Sequence, residues 1–251
     1  MTIVDLNGLR EGEPVIYAFM NQKGGVGKTT LAVSFAARAH ESNSSVCLID
    51  ADGQASSSKW VERAREGSFS KSFSFTLERH TQPDDMADAA VRAREEYDYV
   101  VCDSAGGTSD IPRTLCLVAD VVVLPTGPHR LELESTVQTL RLLKQAQRAR
   151  QGSLPAVIIV LNGRGDEREH LTRDAQEFIR SLGVQNCSAS IRSRNVIADS
   201  AGQDCAVWHL GEDSKAAHEI INVIEEIDRY GKATEEELQR GPATRTAAVS
   251  G

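Results

Sequence analysis

The sequence predicts an α/β domain, a doubly wound and mostly parallel sheet with helices on both faces. Short apolar runs alternate with helix-period segments along most of the 251 residues. That is the pattern of parallel strands joined by helices that cross back over the sheet. A glycine-rich run, residues 21–30, lies between the first apolar run and the first helical segment. Acidic residues close several apolar runs, at the sheet edge where ligands of such folds bind.

Val15 to Met20, after Pro14, reads as a buried strand. Leu31 to Ala39 is rich in helix formers and carries an apolar stripe. Ser45 to Asp50 is a second strand, followed by a helix around Trp60 to Glu66. Phe75 to Glu78 is a more polar strand, Asp84 to Glu96 a helix, and Tyr97 to Asp103 the next strand. Val121–Pro125 and Ala156–Asn162 are two more strands, separated by a long helix over 132–150. A helix over 166–182, a weak strand over 184–190 and a helix over 214–230 complete the order, the last with its isoleucines gathered towards one face. This assigns residues 1–13 to an N-terminal extension, 14–230 to the folded domain and 231–251 to a disordered tail.

Composition narrows the class. No apolar stretch approaches the roughly 20 residues that span a bilayer, and Met1 to Asp5 lacks the basic-then-apolar form of a secretory signal. Five cysteines without any C-x-x-C read as buried, reduced thiols of a cytoplasmic protein. The net charge of −8 argues against a surface coated for nucleic acid, yet its distribution is uneven. Residues 141–194 hold ten Lys/Arg against five Asp/Glu, whereas 195–251 hold five against eleven. One basic face remains compatible with DNA contact, as does a set of solvated helix faces.

The chemistry centres on Asn21-Gln22-Lys23-Gly24-Gly25-Val26-Gly27-Lys28-Thr29-Thr30. A loop that wraps phosphates needs a lysine on the β/γ oxygens, a hydroxyl on Mg²⁺ and glycines where backbone N–H groups approach closely. Lys28, Thr29 and Gly24, Gly25 and Gly27 meet that specification. The following helix adds the anion preference of its N-terminus. Gln22 replaces the usual first glycine and Lys23 is a second, surplus cation. Asp103, ahead of Ser104-Ala105-Gly106-Gly107, suits a carboxylate steering Mg²⁺ beside a glycine switch segment. Asp50 and Asp52 lie two apart, so an extended chain would aim them the same way. One of them would orient water for attack on the γ-phosphate; a helix N-cap is the competing role for Asp52, and Asp50 is a weaker metal candidate.

These residues carry a family resemblance. Lys23 to Thr30 resembles the deviant Walker A signature of the ParA/MinD ATPases, within the P-loop NTPases. Asp50-Ala51-Asp52-Gly53-Gln54 is similar to that family's second motif, and Tyr97 to Asp103 to its Walker B strand. Ile191 to Val196, Ala206 to Trp208 and Lys215 to Ile220 are similar to the C-terminal part of ParA proteins. With no N-terminal helix-turn-helix, the chain looks most like the small ParF-type plasmid partition ATPases. The resemblance implies that Lys23 reaches the partner's ATP across a sandwich dimer and that Lys28 holds the β/γ-phosphates. Gly24, Gly25, Val26 and Gly27 would line the nucleotide. Thr29 would bind Mg²⁺, Thr30 would contact the α-phosphate, Asp52 would position water and Asp103 would act on Mg²⁺ through a water. Asn162 would lie near the adenine. Two departures, Gly53 for the family's proline and Gly106-Gly107 for a frequent double proline, leave the reacting groups in place.

The expected function is that of a DNA-segregation ATPase. ATP and Mg²⁺ drive homodimerisation, the dimer binds double-stranded DNA non-specifically, and a centromere-binding ParB- or ParG-like partner stimulates a weak basal hydrolysis. Such a protein is cytoplasmic and nucleoid-associated. Arg164, Arg168, Arg173, Arg192 and Arg194 are the expected phosphate-backbone contacts. The alternative is a ParA-like ATPase that positions a protein cargo on the nucleoid or at the cell surface. The tail after Gly231 offers only Leu238 and Val249 as large apolar residues, too few for a membrane-binding helix, and no paired cysteines suit a metal-cluster carrier.

Overall fold

The computed structural model describes residues 14–107, 110–152, 154–163, 169–192, 195–212 and 214–239. Seven strands form one parallel sheet: β1 (Val15–Phe19), β2 (Val46–Ala51), β3 (Thr76–Arg79), β4 (Tyr99–Ser104), β5 (Val121–Thr126), β6 (Ala156–Leu161) and β7 (Gln185–Asn186). Their spatial order is β3-β2-β4-β1-β5-β6-β7. The chain thus runs outward from β1 to one edge, returns through β4 and continues through β5 to the other edge. Such a reversal of strand order opens a crevice beyond the carboxyl ends of the central strands. The expected fold class is what the chain adopts.

Alternation along β1 shows how the two layers are divided. Val15, Tyr17 and Phe19 face one core, and Ile16, Ala18 and Met20 the other. The first core is covered by α1 (Lys28–Glu41), α2 (Ser56–Glu66), α7 (Asn195–Gly202) and α8 (Lys215–Gln239). The second lies under α3 (Pro83–Arg94), α4 (Asp110–Val118), α5 (Arg130–Ala149) and α6 (Glu169–Ser181). Local signals fix several helix starts. Pro83 opens α3 with Asp84 and Asp85 in its first turn. At α5 the Glu132 carboxylate accepts the His129 N–H at 3.0 Å, closing a capping box.

Three expectations needed revision. The helices α4 and α7 had no counterpart among the expected elements. The weak strand over 184–190 shrinks to Gln185–Asn186 beside β6, with a separate bridge from Asn162 to Ile191. Residues 231–239, expected in a disordered tail, continue α8. Gly231 sits inside that helix because a Cβ there would overlap the Tyr17 hydroxyl beneath it. The Tyr17 ring is fully buried, 4.7 Å from that of Phe35. Of the remaining expected boundaries, residues 1–13 and 240–251 lie outside the described residues.

Candidate active site

The glycine-rich run leaves β1 and enters α1 at the crevice. Gly27 has φ +98°, a left-handed conformation that favours glycine, and a Cβ there would also strike the Asn162 side-chain amide. Gly25 shares the left-handed conformation at φ +77°. With those turns made, Lys28 opens α1 and is almost wholly buried, its ammonium donating to the Lys23 carbonyl at 3.0 Å. Burial lowers its pKa, opposed by the charges of Asp103 and Asp52. Thr29 and Thr30 follow on the first turn of the helix. Val26 is buried, whereas Lys23, Gly24 and Gly25 face solvent. Among the described residues the Lys23 ammonium makes no ion pair.

Asp103 is paired in register with Phe19 on one side and Asp50 on the other. It is completely buried, and neither carboxylate oxygen has a hydrogen-bond partner. Burial pushes its pKa up to about 7, with the Asp50 charge adding to the rise; the nearby Thr29 and Ser57 hydroxyls and the Lys28 ammonium pull the other way. Those hydroxyls approach without closing a hydrogen bond to it. A buried carboxylate with two unused oxygens beside a threonine fits a role beneath a hydrated magnesium ion. Mg²⁺ is usually held by one or two protein groups plus phosphate oxygens, and the described residues contain no group of three or more His, Cys, Asp or Glu that would cage a metal without them. Thr29 and Asp103 are therefore the residues that would hold it, and the ion would supply charge neutralisation for the phosphates.

The two aspartates of the second motif part company. Asp50 is buried, and its carboxylate accepts the Asp52 N–H at 3.0 Å and the Ser58 N–H at 2.9 Å. Both oxygens hold backbone groups and fasten the start of α2, which gives Asp50 a structural role beside the metal role considered for it. Asp52 lies beyond the end of β2 and is half-buried, whereas Asp50 is buried. Its carboxylate accepts the Gln54 N–H at 2.9 Å, and Ala55, not Asp52, precedes α2. Asp52 therefore keeps acceptor capacity, half-buried in the neighbourhood of Lys28. That placement suits the orientation of a nucleophilic water.

The β4 tail lies against the loop. The Gly107 N–H, from a residue with φ +98°, donates to the Gln22 carbonyl at 2.7 Å. A Cβ on Gly106 would come within 3.5 Å of the Lys28 ammonium. Glycine in place of proline thus brings the backbone after the metal-side carboxylate directly onto the phosphate loop. Asn162, expected near the adenine, donates its side-chain N–H to the Val26 carbonyl at 2.9 Å. The structure puts it on the flank of the phosphate loop.

Of the expected DNA contacts, Arg173 is exposed on α6. Arg192 faces Glu219, at 3.6 Å between charged groups. Arg164, Arg168 and Arg194 lie outside the described residues. One residue at the loop escaped notice in the sequence: Asn21, buried, with hydrogen bonds to β5 and α5. Its only signal was its position at the junction of strand and loop.

The family model described as VirC1 protein matches residues 15–238. The chain belongs to the VirC1 family. With its phosphate loop it stands among the P-loop ATPases of the ParA/MinD kind, as the motifs implied. Two relatives of this VirC1-family chain are similar over most of their length, both called maintenance of carboxysome distribution protein A. The one from Gloeobacter kilaueensis is 31% identical over 222 residues, covering 86% of this chain and 95% of the relative. The one from Halothiobacillus neapolitanus is 27% identical over 208 residues, covering 82% and 93%. Among solved structures, the septum site-determining protein MinD complexed with Mg-ADP from Pyrococcus horikoshii aligns with a TM-score of 0.71 at 19% identity, over 88% of this chain and 98% of that one. The two names speak of distributing a carboxysome, a property of those relatives. These likenesses do not single out the ParF-type partition ATPases. Among the described residues no helix of the VirC1-family fold is long and apolar enough to cross a membrane.

Proposed function

We propose that this chain is an ATPase that positions a cargo. ATP and Mg²⁺ bring two copies together across their phosphate loops, the dimer rests on non-specific DNA, and an adaptor on the cargo stimulates hydrolysis and release. The observation that carries the reading is the division between the two lysines. Lys28 is buried and turned inward, while Lys23, five residues earlier, is exposed and makes no ion pair among the described residues. A cation left exposed at its own loop serves a second subunit's triphosphate, where it both joins the dimer and offsets charge developing in phosphoryl transfer. Asp52 orients the attacking water, and Asp103 and Thr29 serve the metal. The names of the two carboxysome-distribution relatives favour a cargo other than a replicon.

The test joins biochemistry to the host cell. Lys23→Ala should keep ATP affinity within about twofold of the parent while weakening ATP-dependent dimerisation many-fold and losing stimulated hydrolysis, whereas Lys28→Ala should lose nucleotide binding by roughly a hundredfold. Identical failure of both variants would remove the two-lysine reading. In the host, deleting the chain should cluster a cargo and leave replicon inheritance unchanged. A rise in plasmid-free or anucleate cells would restore DNA segregation as the function.

A further inference from the structure

Lys23 can act across a dimer only if its backbone aims the side chain outward, and the source of that aim is a residue with no role so far. Asn21 is 1% exposed, and its side-chain amide uses its full hydrogen-bonding capacity. The Nδ2 group donates to the Pro125 carbonyl at 2.8 Å and to the Thr136 hydroxyl at 3.3 Å. The Oδ1 atom accepts the Lys23 N–H at 3.0 Å and the Ser135 hydroxyl at 2.8 Å. This set fixes the amide's orientation, because the flipped amide would face N–H with N–H and carbonyl with carbonyl. Asn21 thereby ties the loop to the end of β5 and to the first turns of α5.

The peptide groups on both sides of the Lys23 Cα are held. Its N–H is held by Asn21, and its carbonyl by the Lys28 ammonium. The second hold belongs to a group that, in the proposed function, turns to the phosphates when ATP binds. The first uses no phosphate-binding group and persists. We infer that Asn21 is a positioning residue for Lys23, directing that lysine towards the second subunit in the ATP state, with Ser135 of α5 keeping Asn21 in place. The inference rests on the proposed dimeric function.

The experiment measures ADP affinity, ATP-dependent dimerisation by sedimentation and thermal midpoint in Asn21→Ala, Asn21→Asp and Ser135→Ala, each with Lys23 present or replaced by alanine. Asn21→Ala should weaken ATP-dependent dimerisation by about tenfold and change ADP affinity by less than about twofold. Asn21→Asp keeps the acceptor for the Lys23 N–H and should recover most of that loss. At protein concentrations where the Lys23→Ala chain still dimerises, adding Asn21→Ala should change little, since the two act through one interaction. Equal loss of ADP affinity and ATP-dependent dimerisation, or effects that simply add, would overturn the inference. If Asn21→Ala does not fold, Asn21→Asp and Ser135→Ala decide. Near-parental dimerisation for the former and a several-fold loss for the latter uphold the inference, and no loss in Ser135→Ala refutes it. Parental protein that fails to dimerise with ATP would instead refute the proposed function.

Discussion

Asp103 shows at the residue scale how a reacting position costs the fold something. Its carboxylate is sealed from water, has no hydrogen bond and lies beside Asp50, so the charged form is disfavoured and its pKa rises to about 7. An unfolded chain would release the same proton near pH 4, about the ordinary carboxylate value. The folded form therefore binds the extra proton between those limits, and its stability falls as pH rises through that window. Asp103→Asn should stabilise the chain by about 1–3 kcal/mol at pH 8 and by much less at pH 4, as read from urea unfolding. It should also lose magnesium-dependent hydrolysis. Equal stability of variant and parent at both pH values would show that the buried charge is satisfied after all. Placement at this scale was legible where a motif carries it: Lys28 and Thr29 open α1, and Asp103 lies near them in β4. The structural role of Asp50 was not legible, because an aspartate at a strand end serves equally well as a ligand or as an acceptor for the backbone of the next helix, and residue type alone does not separate the two. Asn21 was missed because three of its four partners, Pro125, Thr136 and Ser135, are more than a hundred residues away.

Gly231 carries the lesson at the scale of the element. A glycine after an apolar helical stretch normally signals a helix end, and the acidic run behind it suggested a frayed tail. The glycine instead sits within α8 where Tyr17 of β1 leaves no room for a Cβ. That ring is fixed by Phe35 and by Tyr99, whose hydroxyl donates to Asp228 of α8 at 2.8 Å. An alanine inside a helix is usually favoured over glycine by about 1 kcal/mol. Here Gly231→Ala should destabilise by about 1–3 kcal/mol through overpacking, measured by thermal or urea unfolding. A neutral or stabilising result would mean that Tyr17 can move. The strands were legible because a parallel sheet covered on both faces demands continuous apolar runs. The helices α4 and α7 were not, because nine and eight residues are too few for a helical period to stand out, and Pro112 lies in the first turn of α4.

For the whole molecule, the sheet order explains why distant segments meet. The phosphate loop, Asp103 and the second motif leave β1, β4 and β2, neighbours at the centre of the sheet, at their carboxyl ends. That convergence could be read from strand–helix alternation. A basic face could not, because charge counts ignore pairing: Arg192 lies against Glu219, whereas Arg173 is exposed on α6. If the proposed dimer uses Arg173 on a phosphate backbone, its affinity for random DNA should fall steeply with salt. Arg173→Glu should then weaken binding at every sequence and lower the slope of log K against log salt by about 1. An unchanged slope would move the DNA surface elsewhere. All five cysteines are buried and unpaired. Burial raises each thiol's pKa, to about 12 at Cys47 and Cys116, so thiolate is scarce near neutral pH. A single cysteine introduced at Glu177, exposed on α6 one turn from Arg173, would then be the one site open to maleimide probes. Spin or fluorescent labels could follow subunit approach and DNA contact without first stripping the native thiols from the core.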